Sequence, residues 1–372
     1  MRTNEIPERA AVGIIYGDAT GHRHQDLLDV QFYAFDQPFL TDLGYPQSWA
    51  SVKYWEGDWG THNSAWGVIS SPISQDAKSS ATPHFSKQIS GRGHLVRTFF
   101  VGGLQAVEVR AERWNWDQRA QHWYKPGITF KRLIALVETD GDGVALIDLI
   151  RISGGIEHWR VCRGLEGDFV IDGVQQTPRS GTVADPKGKR GEIDNLAYPD
   201  HAALACMDDV LMVDCQPASW KGCWQFSRQA DVHLDVYQLR TNPTTETLTA
   251  RSTAVMGNPE TSNYAYRTLL WKNMQKDQDT YVDLVFEPRV GEGTLRNVKS
   301  IDNEASGSGV ELITQRGKVV QFYWSPDADL TDRTHFSDGT ELRGNLTISV
   351  DGKFSASGCS SLKYTRKKLH FP

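Results

Sequence analysis

The chain has 372 residues, of which 39% are hydrophobic, 23% charged and 10% aromatic. This is a globular composition, and it excludes a disordered or collagen-like chain. Lys and Arg number 40 against 46 Asp and Glu, which gives a net charge of −6. No basic excess is therefore available to neutralise phosphates, and a nucleic-acid partner is not expected.

Several other protein classes are not expected either. No run approaches the roughly 18 apolar residues that a membrane span needs. The polar start, residues 1–9, lacks the apolar region of a signal peptide, so none is predicted in this chain. The five cysteines have no CxxC spacing, which argues against a zinc knuckle, and their odd number favours reduced thiols, with one or two disulfides left open.

Segments of alternating apolar and polar residues predict strands along the whole chain. In chain order they are 30–35, 95–101, 106–112, 129–138, 144–152, 233–239, 281–288, 310–315, 319–324 and 346–350. Glycine-rich turn signals separate them, and no segment sustains a helical apolar stripe over four turns. We therefore predict an all-β fold, a large antiparallel two-sheet β-sandwich of the supersandwich kind.

Two polar stretches interrupt this pattern. Residues 175–194 are rich in Pro, Gly and charge, and a loop of that length is often functional or mobile. The softer break at 302–309 suggests a boundary. We predict a main sandwich domain over 1–302 that carries a metal site, and a small C-terminal β-subdomain over 303–372.

The motif GHRHQD places His22 and His24 two residues apart, so on a strand both imidazoles face the same side. Asp42 follows in LTDLGY and His62 in WGTHNSA. Two histidines and one carboxylate are enough to hold zinc with an open fourth position. On these residues alone, a pair of histidines with ordinary structural hydrogen bonds is an equal alternative.

The order of the motifs resembles the β-domain of the heparinase II/III-like polysaccharide lyases. In that family a G-H-x-H-x-D-x-L strand leads to a D-x-G turn and then to a strand that carries H-N. The segments 124–132, 146–164 and 281–288 resemble later strands of the same domain, so the resemblance spans most of the chain.

The resemblance implies a bacterial, periplasmic or secreted enzyme that cleaves uronic-acid polysaccharides such as heparan sulfate or alginate by β-elimination. It implies zinc ligands at His24, Asp42 and His62, with His22 facing the substrate cleft. Asp26 would orient a ligand histidine. We expect the zinc ion to pin strands together, and a catalytic role by charge stays open.

Four further residues are candidates around this site. Tyr54 lies in the interval where family members place an active-site tyrosine, although the local pattern here is shifted. Asn63 either fixes the turn after His62 or contacts substrate. Arg23 either meets a substrate carboxylate or is solvated, and Trp49 either stacks on a sugar or fills the core. His158, in GGIEHWR, is expected to be structural or to line the edge of the cleft.

The sequence departs from the family in one large feature. Full-length members carry an N-terminal α-helical toroid that supplies most of their catalytic residues, and this chain has none. We expect the chain alone to have weak lyase activity or none, with an α-toroid domain or subunit as a possible partner. The alternative is a non-catalytic carbohydrate-binding β-sandwich that lacks the catalytic toroid. A third, less favoured interpretation is a metal-dependent β-barrel hydrolase or oxygenase.

Overall fold

The structure is a computed structural model. It describes residues 10–16, 18–19, 28–40, 66–69, 89–117, 122–124, 127–154, 157–164, 166–190, 192, 202–205, 207–253, 265–274, 279–302, 307–364 and 367–371.

The described residues form strands almost throughout. In chain order they are β1 Ala10–Ile14, β2 Asp18–Ala19, β3 Val30–Ala34, β4 Gln37–Leu40, β5 Trp66–Ile69, β6 Ile89–Val101, β7 Leu104–Asp117, β8 His122–Tyr124, β9 Thr129–Glu138, β10 Val144–Ser153, β11 Glu157–Arg163, β12 Gly167–Ile171, β13 Gln176–Arg179, β14 Asp208–Val213, β15 Trp220–Phe226, β16 Val232–Thr241, β17 Glu246–Thr253, β18 Ala265–Asn273, β19 Thr280–Val290, β20 Leu295–Ser300, β21 Ser308–Thr314, β22 Val319–Trp324, β23 Arg333–His335, β24 Glu341–Val350, β25 Lys353–Tyr364 and β26 Lys367–His370. One four-residue helix, α1, spans Ala202–Ala205.

The strands form four sheets. The central sheet has ten strands in the order β12-β15-β16-β19-β10-β9-β7-β6-β2, with β8 paired to β7. A six-stranded sheet has the order β13-β14-β17-β18-β11-β5, and a three-stranded sheet the order β1-β3-β4. The C-terminal sheet has seven strands in the order β20-β21-β22-β24-β25-β26, with β23 paired to β24. The pairings at the middle of the central sheet are antiparallel.

The central sheet is covered on both faces. On one face, Ile134, Leu146 and Leu284 share a core with Cys162 and Trp271 of the six-stranded sheet. The three-stranded sheet adds residues such as Phe32 and Phe39 to the same core.

The second face packs on the C-terminal sheet. Here Leu133, Ile147 and Val285 share a core with Phe322 and Ile348. Because β10 lies between two layers, all of its residues from Val144 to Ile152 are buried, and its sequence VALIDLIRIS is a nearly continuous apolar run.

The sequence also fixes the hairpin between β9 and β10. Gly141 adopts a φ of 61°, which a glycine reaches without steric penalty. Glu138 then pairs with Val144, so the two strands enter the layers in register. The carboxylate of Asp140, in the same turn, accepts hydrogen bonds from Thr314 Oγ1 of β21 at 2.8 Å and from Arg316 N, in the turn after β21, at 2.7 Å.

The prediction of an all-β antiparallel sandwich is confirmed, and the central sheet carries a further sheet on its second face. The strands predicted at 129–138 and 319–324 have those bounds. In the stretch predicted as a loop at 175–194, residues 176–179 form the short strand β13, and residues 180–190 follow as bends and turns.

The predicted domain boundary at 302/303 stays a prediction. The C-terminal sheet already begins at β20, seven residues before it. Among the described residues, no helix is long and apolar enough to cross a lipid bilayer.

Candidate metal-binding segments and the buried network beside them

The residues that the sequence assigns to the metal and substrate site all lie outside the described residues. They are His22, Arg23, His24, Asp42, Trp49, Tyr54, His62 and Asn63. Their roles therefore stay predictions. The structure does describe the chain on both sides of these segments.

The segment with the two histidines is bounded by two ordered anchors. Before it, β2 pairs with β6, with Asp18 opposite Arg92 at the edge of the central sheet. After it, Leu28 lies four residues beyond His24 and is buried against Val109 and Ile150. The backbone of Leu28 donates to Ile15 O at 2.8 Å, so the returning chain is tied to the end of β1.

The other two predicted ligands follow or precede described strands. The last residue of β4, Leu40, is fully buried and precedes Asp42 by two residues. β5 begins at Trp66, four residues after His62, and pairs with β11 so that Trp66 lies opposite Arg160.

A fully buried ionic network lies between these anchors. Arg132 of β9 makes a bidentate pair with Asp148 of β10, with Nε–Oδ1 at 2.8 Å and Nη2–Oδ2 at 2.5 Å. Arg160 of β11 donates to the same Oδ2 from the facing sheet. Arg132 also donates to the carbonyl of Leu28. The network therefore connects Leu28, four residues after His24, with β11, the strand that pairs with β5 at Trp66.

The charges of this network are mutually dependent. Burial by itself raises the pKa of Asp148, but the positive charges of Arg132 and Arg160 outweigh burial and hold that pKa below its ordinary value. The carboxylate is thus ionised at any pH near neutrality. With all three side chains shielded from solvent, the network positions the surrounding chain and does not contact a substrate.

The cysteine beside this network is inert. Burial raises the pKa of Cys162 to about 12, so the thiol is protonated and is not a nucleophile at neutral pH. The described cysteines Cys162, Cys215, Cys223 and Cys359 are free, and Cys206 lies outside the described residues.

His158 is held by a directed chain of hydrogen bonds. Its Nε2 donates to Gly154 O at 2.5 Å, and its Nδ1 accepts from Thr280 Oγ1 at 2.6 Å. Asn273 Nδ2 donates to the same hydroxyl at 2.6 Å. Burial lowers the pKa of His158, although the negative charges of Asp279 and Glu157 oppose that shift. These contacts support the structural role expected for His158.

A metal site is not formed by the described residues themselves. Within them, no group of three or more His, Cys, Asp or Glu side chains is arranged to hold a metal ion. The predicted zinc ligands lie in the other part of the chain, so this finding leaves that prediction as it stood.

The sequence carries a signal for the buried network that is separate from the metal-site motifs. Asp148 and Arg151 interrupt the apolar run VALIDLIRI, and Arg132 precedes the apolar run LIALV. A single charge within an apolar strand is expected to be buried and therefore paired. The partner across the sheets, Arg160, has no such signal, because its pairing depends on how β11 faces β10.

No protein-family model and no curated protein matches this chain. Solved structures do match. A heparinase III structure with methylated lysines gives a TM-score of 0.45 and 10% identity, and the alignment covers 84% of this chain and 38% of that one. The chain is similar to heparinase III and heparan sulfate lyase structures over most of its own length.

Two further solved structures have similar TM-scores, identities and coverages. A heparan sulfate lyase HepC mutant from Pedobacter heparinus has a TM-score of 0.40 and 9% identity, with 90% of this chain and 36% of that one covered. A crystal structure of heparinase III has a TM-score of 0.39 and 11% identity, with 90% and 35% covered. This chain thus spans less than two fifths of each of these proteins, and likeness at this level assigns no activity and no site residue.

Proposed function

We propose that this chain is the zinc-bearing β-domain of a polysaccharide lyase that acts on uronic-acid polysaccharides. The observation that carries the proposal is the order of motifs: the His-X-His segment, the aspartate turn, the His-Asn segment and three downstream segments follow one another as in the heparinase II/III-like family.

In the described part of the chain, the three downstream segments lie on strands that pair or pack with one another. They contain β9, β10 with β11, and β19, and β10 pairs with both β9 and β19. Arg132, Asp148 and Arg160, which form the buried network, come from two of these segments. The three downstream segments therefore build one packed unit.

The donor set fits zinc. Imidazole nitrogens of His24 and His62 and a carboxylate oxygen of Asp42 are ligands that zinc accepts, and three protein ligands leave a fourth position open. When bound, the ion supplies positive charge beside the cleft and ties the strands that carry its ligands. We assign it mainly the second role.

The reaction needs two proton transfers on the protein side. A base takes the C5 proton of the uronate, the electron pair forms the C4–C5 double bond, and the C4–O bond breaks. An acid then protonates the departing oxygen. His22 and Tyr54 are proposed to share these transfers, because hydrogen bonding and nearby charge tune both side chains.

The remaining candidates would hold the substrate. Arg23 neutralises the uronate carboxylate, so that the charge developing at C5 is tolerated. Trp49 stacks on a sugar ring and Asn63 donates to a hydroxyl. The polymer is an acidic polysaccharide, and heparan sulfate and alginate are the substrates to test first.

Metal content tests the ligand assignment. We expect the purified chain to hold one zinc per molecule, His24→Ala to lose it, and His370→Ala, an exposed histidine in β26, to keep it. Full zinc retention by His24→Ala contradicts the assignment.

Ultraviolet absorbance of the unsaturated uronate tests the chemistry. If the chain turns over heparan sulfate or alginate, Tyr54→Phe is expected to abolish the signal, while Tyr33→Phe, at an exposed tyrosine of β3, leaves it unchanged. A zinc-loaded chain that binds the polymer without turnover fits both a β-domain whose other catalytic residues lie in another domain or subunit and the non-catalytic sugar-binding alternative.

A further inference from the structure

A short loop with three exposed cations follows β13. We call residues 180–190 the basic loop. Its sequence, SGTVADPKGKR, carries Lys187, Lys189 and Arg190 within four positions, and all three are exposed. The chain as a whole has a net charge of −6, so this concentration of positive charge is a local departure from its average.

The basic loop is internally ordered. Asp185 O accepts hydrogen bonds from Thr182 N at 2.8 Å and Gly188 N at 3.1 Å, and Asp185 Oδ1 accepts from Lys187 N at 2.8 Å. Gly181 has a φ of 76° and lies against the backbone of Asp185, where a Cβ has no space. This close turn fixes where the cations emerge.

The basic loop is also docked on the outer face of the six-stranded sheet. Val183 N donates to Met207 O at 2.9 Å, and the Val183 side chain packs against the buried cluster that includes Trp159. Arg179, at the end of β13, donates to Thr182 O at 2.9 Å and Val183 O at 3.0 Å. The cations thus stand on a rigid base rather than on a free chain.

Two carboxylates close to the lysines in sequence accept main-chain hydrogen bonds. Asp185 accepts from Lys187 N, as above, and Glu192 Oε2 accepts from Lys189 N at 2.9 Å. Among the described residues, neither lysine side chain forms an ion pair. Arg190 lies 3.8 Å from Asp208, with both side chains more than a third exposed, which is a weak and easily exchanged contact.

We propose that the basic loop binds an acidic polysaccharide through Lys187, Lys189 and Arg190. The inference rests on the proposed function, because it takes the same polymer class as ligand. A polymer with a carboxylate or sulfate on successive sugars presents repeated negative charges, and three cations on a loop with a held backbone meet them without ordering the loop first. The local positive field also raises the encounter rate with such a polymer.

The test is a binding measurement on the full chain with heparin and alginate as probes and neutral dextran as the uncharged control. Lys187→Ala, Lys189→Ala and Arg190→Ala are combined in one variant. The matched control combines Lys353→Ala, Lys363→Ala and Lys368→Ala, three exposed cations on the C-terminal sheet. Thermal unfolding of both variants checks that each is folded.

We expect the loop variant to bind the acidic polymers about tenfold more weakly at low salt, the product of three exposed ion pairs lost. The matched control is expected to keep wild-type affinity. The difference between wild type and loop variant should shrink as salt screens the contacts. Wild type and loop variant should bind dextran equally.

Three outcomes overturn the proposal: equal affinity of the two triple variants, equal affinity of wild type and loop variant, or wild-type binding to single-stranded DNA but not to either polysaccharide. The proposed lyase function is tested separately. Its readouts, unsaturated product and zinc content, do not depend on these three cations.

Discussion

On one face of the central sheet, Arg160 of the six-stranded sheet reaches across the interface to the carboxylate of Asp148. On the other face, Asp283 pairs with arginines of its own sheet, Arg151 at 2.8 Å and Arg240 at 3.8 Å. Each of these two buried carboxylates thus lies between two guanidinium groups. The two sites differ in whether their own ion pairs cross from one layer to the next.

The C-terminal sheet contacts the Arg151–Asp283 ion pair of the central sheet through uncharged groups. Ser308 Oγ donates to Asp283 Oδ2 at 2.5 Å and accepts from Arg151, whose Nη2 also donates to Gly307 O at 3.0 Å. The guanidinium carbon of Arg151 lies 5.4 Å from the centre of the Trp324 ring. An ion pair does cross to this sheet at its rim, where Lys131 meets the half-exposed Asp327.

The difference has a consequence for how the layers separate. Pulling the six-stranded sheet away separates Arg160 from Asp148 and so breaks a buried ion pair, which is strongly unfavourable. Pulling the C-terminal sheet away leaves the Arg151–Asp283 pair intact and breaks the hydrogen bonds that Ser308 and Gly307 make with these two charged groups, each of which stabilises by about 1.5–3 kcal/mol. We therefore expect the C-terminal sheet to open at a lower free energy.

Asp148→Asn is the largest expected break. It leaves Arg132 and Arg160 buried without their counter-charge, and removal of one partner of a buried pair destabilises by about 3–5 kcal/mol. Denaturant unfolding measures the change. Asp208→Asn is the control, because Asp208 and its partner Arg190 are both more than a third exposed and 3.8 Å apart, so a loss of at most about 1 kcal/mol is expected. Equal losses of unfolding free energy in the two variants would contradict the expected difference between a buried and an exposed ion pair.

Ser308→Ala is expected to destabilise by about 1–3 kcal/mol, because Asp283 loses a buried donor and Arg151 loses an acceptor. The effect should be local to the C-terminal interface. Amide hydrogen exchange should accelerate in β21, β22 and β24 and remain unchanged in β17 and β18. Ser300→Ala, whose hydroxyl is exposed, serves as the control, and uniform acceleration in all sheets would contradict the comparison.

The smallest expected effect is a pH dependence at the first interface, which His158 spans by its bond to Thr280. The folded-state pKa of His158 lies below the unfolded value of about 6.5, so its contribution is fully present above that pH. Stability then falls as the pH drops from about 6.5 towards the folded pKa, by at most about 1.4 kcal/mol per pH unit. His158→Gln should unfold with a flatter pH profile over this window, and parallel profiles would exclude the effect.

Much of the fold was predictable, because the strand pattern is local. The runs at 129–138 and 319–324 match β9 and β22, since alternation and β-branched residues define a strand without reference to the rest of the chain. Strands with weaker patterns were missed. β13, QTPR, is polar and contains a proline, and it forms at the edge of its sheet beside β14.

The candidate sites, too, have a part that the sequence predicts and a part that only the structure shows. The motif order predicted the ligand and cleft residues from His22 to Asn63, and these lie outside the described residues. The basic loop was visible in sequence as a polar stretch, but its rigidity depends on the main-chain bonds around Asp185 and on docking against Met207.

The sequence by itself determined the strands, the turns and the places where single charges enter apolar runs, because these follow from residue periodicity and from the desolvation of charge. Only the tertiary structure decided which charges meet. Arg160 reaches Asp148 because two sheets stack with those residues opposed, and Arg151 meets Ser308 because the C-terminal sheet covers the other face. Contacts between sheets depend on how layers pack, and a strand pattern does not encode its facing layer.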